Sequence, residues 1–439
     1  MDSWTTRLTR RLQSAQVLQH PVPDSADLLL AMGLPLCFAG YFVARGWLNA
    51  ALVLAFAVCL VGLLRDCAGS VALLRQRPLR WMLFALAAPF AAVLLTQLVH
   101  QEFVPRAYDS ALRILMAGVV LWYLLLRRIN FLPLAERVLP VAVLACAAAI
   151  FLYPDAAQYF WDNRFATYFI DPLTLGQHIT IVGFMCLFCV DASGRDGHAL
   201  RLLKYAAFMA AIAVSIGTQS RSAWVIVPVL AGLWLIGLKR CNNPPKIGLA
   251  LLAVLAACLL LYACSPIIQL RANEAVAEYA QYFNGGNRDT SPGLRLSMWR
   301  ANWLLFLEHP VFGWGFSQPV DLQSVPHIRG FWTPMFETWY TKHGGHNEIL
   351  SSMMHTGVFG LASRVLVFAV PLLVFANASR SLVQRRRVAG FLGLALVLGY
   401  LVASINTEVF NLVYIASFYG LLVAALASTA LYREADEPV

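Results

Sequence analysis

The sequence predicts an all-α polytopic membrane protein, with about twelve transmembrane helices and one large outer segment between the ninth and the tenth. Three observations lead there. Of the 439 residues, 59% are hydrophobic and 13% charged, about half the charged share of a soluble domain, and mean hydropathy is +0.65. Apolar runs long enough to cross a bilayer recur along the whole chain, more than a soluble core could bury. Basic residues are dense in every second loop and sparse in the others, the pattern that orients membrane helices.

The elements follow in order. Residues 1–25 are polar, carry Arg7, Arg10 and Arg11, and lack the apolar centre of a signal peptide, so they read as a basic cytoplasmic lead-in. Spans are expected at 26–44, 47–64, 79–99, 110–126, 134–153, 172–190, 202–217, 222–238, 247–264, 346–376, 388–404 and 411–431. One alternate set of loops, with both chain ends, holds 21 Lys and Arg; the other set holds 10 despite containing the longest segment. The first set is therefore cytoplasmic and residues 265–345 lie outside. The expected divisions are 1–264 with helices one to nine, 265–345 as an outer helical loop, and 346–439 with helices ten to twelve.

The same distribution accounts for the formal net charge of +10 without nucleic acid as a partner; membrane lipids are the surroundings instead. The nine cysteines form no disulfide framework, because nearly all lie in apolar runs or basic loops. Cys186 and Cys189 form a C-x-x-C inside the run IVGFMCLFCV and read as packed small residues.

The outer segment is too apolar for a linker, with Trp299, Trp303, Trp314, Trp332 and Trp339 among many aromatics. SPGLRLSMWRANWLLFLEHP reads as a helix, with Ser291 as N-cap, Pro292 at its first position and a stop before Pro310. Trp299, Trp303 and Phe306 share a face that lies on the membrane or packs over the bundle.

Four outer features carry possible chemistry. In GTQSRSAW (217–224), Ser220 can cap a helix and place Arg221 in its first turn. Backbone N–H groups, the helix dipole and a guanidinium then make an anion site, unless Arg221 merely snorkels at the interface. Arg295 is expected in the first turn of the outer helix, with Arg288 and Arg300 nearby; a cation there is disfavoured by the dipole without an anion, or is simply solvated. In NRFATYFIDPLTLGQH (163–178), Arg164 can assist an anion site, while Asp171 reads as the cap of the helix opened by Pro172. In KHGGHNEILSSMMHTGVFG (342–360), Gly344-Gly345 breaks the chain and a helix starts near His346. His346, Leu350, Met353, Gly357 and Gly360 fall on one stripe, where the two glycines admit a close helix or lipid chain beneath the histidine. That histidine can exchange protons near neutral pH or make one structural hydrogen bond; His343 and His355 read as the latter. His343, His346 and Glu348 make a poor zinc chelate, and the outer side shows no carboxylate cluster to hold a magnesium diphosphate. No metal and no cofactor are expected.

These motifs resemble the O-antigen ligase family, within a superfamily of O-antigen ligases and polymerases. The family signature is His, then Asn, Ser or Gln, nine residues, Gly, two residues, and Gly, Thr or Tyr. His346-Asn347 followed by Gly357-Val-Phe-Gly360 is a complete match. Arg295 to Trp299, and His309-Pro310 to Gly315, are similar to a second superfamily motif, and Ser220-Arg221 to its serine–arginine turn. The resemblance implies a GT-C-like fold and transfer of O-antigen from undecaprenyl diphosphate to the lipid A-core oligosaccharide. The reaction would take place on the periplasmic face of the inner membrane, without metal. It implies His346 as catalytic histidine, Arg221 and Arg295 as essential arginines, and an acidic residue in the last outer loop, for which Glu408 in SINTEVFN is the candidate. Asn347, Gly357, Gly360 and Arg164 join the expected substrate-binding set.

The chemistry suits those residue types. A diphosphate leaving group needs charge stabilisation more than a general acid, and arginines supply it. The acceptor hydroxyl needs a base, which His346 can be; a single in-line displacement inverts the anomeric carbon. The rivals are an O-antigen polymerase, a protein-glycosylating oligosaccharyltransferase, and a lipid-linked oligosaccharide flippase. A flippase is disfavoured because the polar residues lie at one face rather than at mid-membrane.

Overall fold

The computed structural model describes residues 4–432 except 21–22, 153–163, 193, 195, 318–319 and most of 240–261. The described residues are helical throughout, with one isolated bridge between Leu18 and Ile129 and no strand. Among them, eight helices are long and apolar enough to cross a membrane: Trp47–Arg65 (α3), Arg77–His100 (α5), the segment ending in Tyr108–Leu126 (α6), Leu132–Leu152 (α7), His198–Gly217 (α9), Glu348–Ala378 (α15), Gln384–Asn406 (α16) and Val413–Leu431 (α17). Three shorter apolar helices, Ser25–Ala39 (α2), Pro172–Phe188 (α8) and Arg221–Lys239 (α10), match three more expected spans. The expected ninth span, 247–264, lies largely outside the described residues. The chain is an all-α polytopic membrane protein, and eleven of the twelve expected spans correspond to eight long helices and three shorter ones among the described residues. The span expected over 26–44 stops at Ala39 because Gly40 closes the helix, its N–H donating to the carbonyls of Leu36 and Phe38.

α17 is the buried axis of the bundle; its residues from Ile415 to Ala430 are all buried. It packs on α6, α16, α15 and α3. The polar lead-in differs from expectation: Trp4–Ser14 is a helix (α1), and Leu12, Val17 and Leu18 are buried. Asn130 N–H donates to the Val17 carbonyl over 2.8 Å, fastening this segment to the α6–α7 loop. Its apolar residues recur on one helical face, a pattern that bulk polarity conceals.

Residues 265–345 form a small helical cap: Pro266–Phe283 (α11), Ser291–Glu308 (α12), Pro326–Arg329 (α13) and Pro334–His343 (α14), with Cys67–Leu73 (α4) a short helix elsewhere in the bundle. Leu294, Met298, Leu305, Ile328 and Phe336 make an apolar cluster that includes Met354 of α15, so the cap is seated on the bundle. α12 starts one residue earlier than expected. Thr290, not Ser291, is the N-cap, its side chain accepting from Gly293 N–H, and Ser291 and Pro292 become the first two helical positions. Arg295 consequently lies in the second turn.

α15 is broken at Gly357, where φ is +63° and ψ −146°, a conformation open to glycine alone. The freed carbonyls of Met354 and His355 accept from Trp314 and Gly315 N–H at 2.9 and 3.0 Å, and Val358 N–H donates to Pro310 at 2.8 Å. A Cβ on Gly357 would meet the Val311 carbonyl. The space beside Gly357, read from the sequence as room for a close helix or a lipid chain, is thus filled by residues 310–315. At Gly360 a Cβ would meet the carbonyl of Ser352 and the hydroxyl of Thr356 on the same helix.

Candidate active site

Arg221 opens α10 directly after the tight turn at Gln219, whose φ is +53°. That turn is held from outside: Arg164 Nε donates to the Thr218 carbonyl over 2.8 Å and Phe165 N–H to Gly217 over 2.9 Å. Arg164 therefore braces the loop that presents Arg221. Asp171, as expected, caps its helix, its carboxylate accepting from Leu173 and Thr174 N–H.

Arg221 does not face solvent alone. It donates to Glu278 over 2.6 Å and to Glu274 over 3.1 Å, both on α11. Arg271 holds Glu274 at 3.0 Å and Gln219 at 3.0 Å. Nothing in the motif reading pointed to this acidic pair; the only signal is two carboxylates at i and i+4, which share a helix face.

His346 sits just before α15, at φ +50°. Six hydrogen bonds fix its turn. Asn347 is the N-cap, accepting from Ile349 and Leu350 N–H, and donates to the Ile405 carbonyl over 3.0 Å. Trp299 Nε1 donates to the His346 carbonyl over 3.3 Å. Glu408 accepts from Gly345 N–H and from Ser351 Oγ, each over 2.6 Å. Behind them Asn302 donates to Ser351 over 3.0 Å and accepts from Tyr340 over 2.5 Å. Asn302 is fully buried, and a Cβ on Gly345 would strike its amide, so the close approach needs glycine. The sequence did not single out Asn302, Tyr340 or Ser351: a residue-type pattern carries no sign of contacts made across 38 to 63 positions.

The electrostatics link the three residues of the expected catalytic set. Burial lowers the pKa of Arg295, and the neighbouring Arg221 lowers it further. Burial brings His346 down to about 4, assisted by Arg295 and His343 and opposed by Asp171. Burial raises Glu408 to about 7, opposed by its hydrogen bond from Ser351. Among the described residues, Arg295 makes one long hydrogen bond, donating to Ser291 Oγ at 3.3 Å. Arg288 and Arg300 are engaged elsewhere, on the Gly330 carbonyl and over the Phe331 ring. Glu348, weighed as a zinc donor, turns inward to Arg364 and to Phe410 N–H; among the described residues no group of three or more His, Cys, Asp or Glu is placed to hold a metal ion.

The site gathers a neutral imidazole, two arginines in mutual repulsion and a carboxyl that titrates near neutrality. An anion between the arginines would relieve that repulsion.

Comparison with known proteins bears on the same residues. A family model described as O-antigen ligase matches residues 206–365, a stretch holding Arg221, Arg295 and His346. An O-antigen ligase of Salmonella typhimurium is 28% identical over 212 residues, 48% of this chain and 49% of the relative. An uncharacterized protein of Haemophilus influenzae is 28% identical over 176 residues, 40% of this chain and 43% of the relative. The chain thus spans just under half the length of the curated relatives it matches. Over that segment, which is just over a third of its length and holds the signature histidine and both arginines, the chain is similar to the O-antigen ligase family.

Proposed function

We propose that the protein is an O-antigen ligase, a membrane glycosyltransferase that moves O-antigen from undecaprenyl diphosphate to the lipid A-core oligosaccharide on the periplasmic face of the inner membrane. The observation that carries this reading is the electrostatic coupling of Arg221, Arg295 and His346 at one end of the bundle. Two guanidiniums beside one imidazole suit a reaction that expels a diphosphate and deprotonates a hydroxyl.

In this mechanism Arg221 and Arg295 bind the diphosphate oxygens and take up the charge that develops as the glycosyl bond breaks. His346 accepts the proton of the acceptor hydroxyl as its oxygen attacks the anomeric carbon from the opposite side, inverting that centre. The bound diphosphate offsets the positive field of Arg295, which raises the His346 pKa from about 4 toward the range where a general base works best. Glu408, Asn347 and Trp299 keep the imidazole in place through the backbone of residues 345–347. Arg164 keeps the Arg221 turn. The arginines make the leaving group's charge independent of a divalent ion.

The test is transfer by purified protein, given lipid-linked glycan and either lipid A-core or a second lipid-linked glycan as acceptor, in metal-free buffer with EDTA. Product on lipid A-core alone supports ligation. Chain extension on the second donor instead makes it a polymerase, and loss of all product until magnesium is restored rejects the arginine-only account.

A further inference from the structure

At the other end of the bundle a cavity of about 1060 Å³ opens between α4, the start of α5, the end of α6, the second half of α15 and the end of α17. It is lined by residues 366–377 of α15, 18 to 29 positions beyond Glu348 at the active site and past the break at Gly357. The walls are apolar, with Trp81, Leu366 and Leu373, of which Trp81 and Leu373 are 57% and 68% exposed toward the surroundings of the bundle. The polar side chains on the lining are Gln76, Arg128, Asn377 and Arg386. Arg386 Nε donates to the Ala430 carbonyl over 3.2 Å, and Arg128 lies over the Tyr432 ring at 5.6 Å, so both side chains are gathered at the foot of α17. Past Trp81 a second hollow of about 600 Å³ is bordered by Arg77, Arg80 and Phe84. Among the described residues, neither lining includes a carboxylate.

We infer that this cavity is a binding site for a membrane phospholipid with an anionic headgroup, its phosphate on Arg128 and Arg386 and its acyl chains along Trp81, Leu366 and Leu373. An apolar chamber open to the bilayer is solvated by hydrocarbon, since water finds no partners on such walls. Its volume lies just above the roughly 300–1,000 Å³ of small-ligand sites. Basic pockets between helices at the basic side of a membrane protein suit phosphate headgroups. The arginine edge selects charge, and the walls select only hydrocarbon. The plainer account, that Arg128 only complements the C-terminal dipole of α6, explains one arginine and not the chamber beside it.

The site is separate from the proposed catalytic residues, so its test does not need transfer activity. Full-length protein is purified in mild detergent, and retained lipid is counted by native mass spectrometry after adding phosphatidylglycerol or phosphatidylcholine of identical chains. One phosphatidylglycerol should be retained in preference to phosphatidylcholine. Arg128→Gln with Arg386→Gln should lower that retention about 10- to 30-fold, and Leu366→Trp should lower it for both lipids by filling the chamber. Should the arginine double variant fail to fold, the Leu366→Trp result decides alone. Equal retention of both lipids overturns the headgroup assignment, and retention unchanged in Leu366→Trp overturns the site. Displacement of the phospholipid by undecaprenyl phosphate at equal concentration would make the chamber a polyprenyl site instead. Retention seen only after Glu434, Asp436 and Glu437 are neutralised would make the chain's own acidic end the occupant.

Discussion

Replacing Glu278 with glutamine keeps the length of the side chain but removes the charge that faces Arg221. Arg221 meets Glu278 at 2.6 Å and Glu274 at 3.1 Å, and Glu274 has a second partner in Arg271 at 3.0 Å. A diphosphate that binds Arg221 has to displace the Glu278 contact, whereas Glu274 can fall back on Arg271. Both partners in the shorter pair are about a quarter exposed, 27% and 23%, so the pair lies between two regimes. Exposed ion pairs contribute about 0.2–1 kcal/mol, and hydrogen bonds to charged groups about 1.5–3 kcal/mol. An exchange cost of about 1–2 kcal/mol follows, and removing it tightens donor binding about 5- to 30-fold. The assay is titration of undecaprenyl diphosphate into wild type and Glu278→Gln in detergent, read by tryptophan fluorescence; Trp299 bonds the His346 turn and reports on the site. Arg221→Lys, which loses the bidentate fork, should bind more weakly in the same assay. Unchanged or weaker binding by Glu278→Gln would refute displacement and make the carboxylate a structural brace or a part of the donor site.

Three further outcomes are expected. His346→Ala should fold and bind the donor but lose transfer by roughly 10²–10⁴-fold, the loss typical of removing a general base; near-normal transfer by folded protein would end that role. Glu408, raised to about 7, keeps its proton in the folded protein after the unfolded chain has lost it, so thermal stability should fall as pH rises from the ordinary glutamate range to about 7. Glu408→Gln should flatten that slope, since His346, at about 4 without donor, is neutral throughout it. Gly357→Ala should destabilise the protein by about 1–3 kcal/mol through forced backbone strain, and more if the Val311 carbonyl cannot move; a melting midpoint equal to wild type would show that residues 310–315 yield.

The sequence was most informative where the physics is local. Apolar run length placed eleven helices within a few residues, because a bilayer of fixed thickness demands a fixed number of apolar residues whatever their neighbours. The Asp171 cap and the turn before Arg221 were also legible, since each depends on residues within three or four positions. The same rules misplaced the cap of α12 by one residue, because Ser291 and Thr290 are both good caps and only the backbone chooses between them. They also missed α1, whose apolar face is a spacing rather than a composition.

What the sequence determined by itself, then, is the membrane, the number and order of most spans, and the presence of residue types able to meet a phosphate and to exchange a proton. Only the tertiary structure decided what those residues meet. It set Glu278 against Arg221 across 57 positions and Glu408 behind the His346 turn across 63. It also turned Gly357 from an open face into a docking point for residues 310–315. The physical reason is the range of the forces involved. Helix formation and membrane burial act on neighbours along the chain, whereas ion pairing, desolvation and steric exclusion act on neighbours in space, which the chain acquires only by folding.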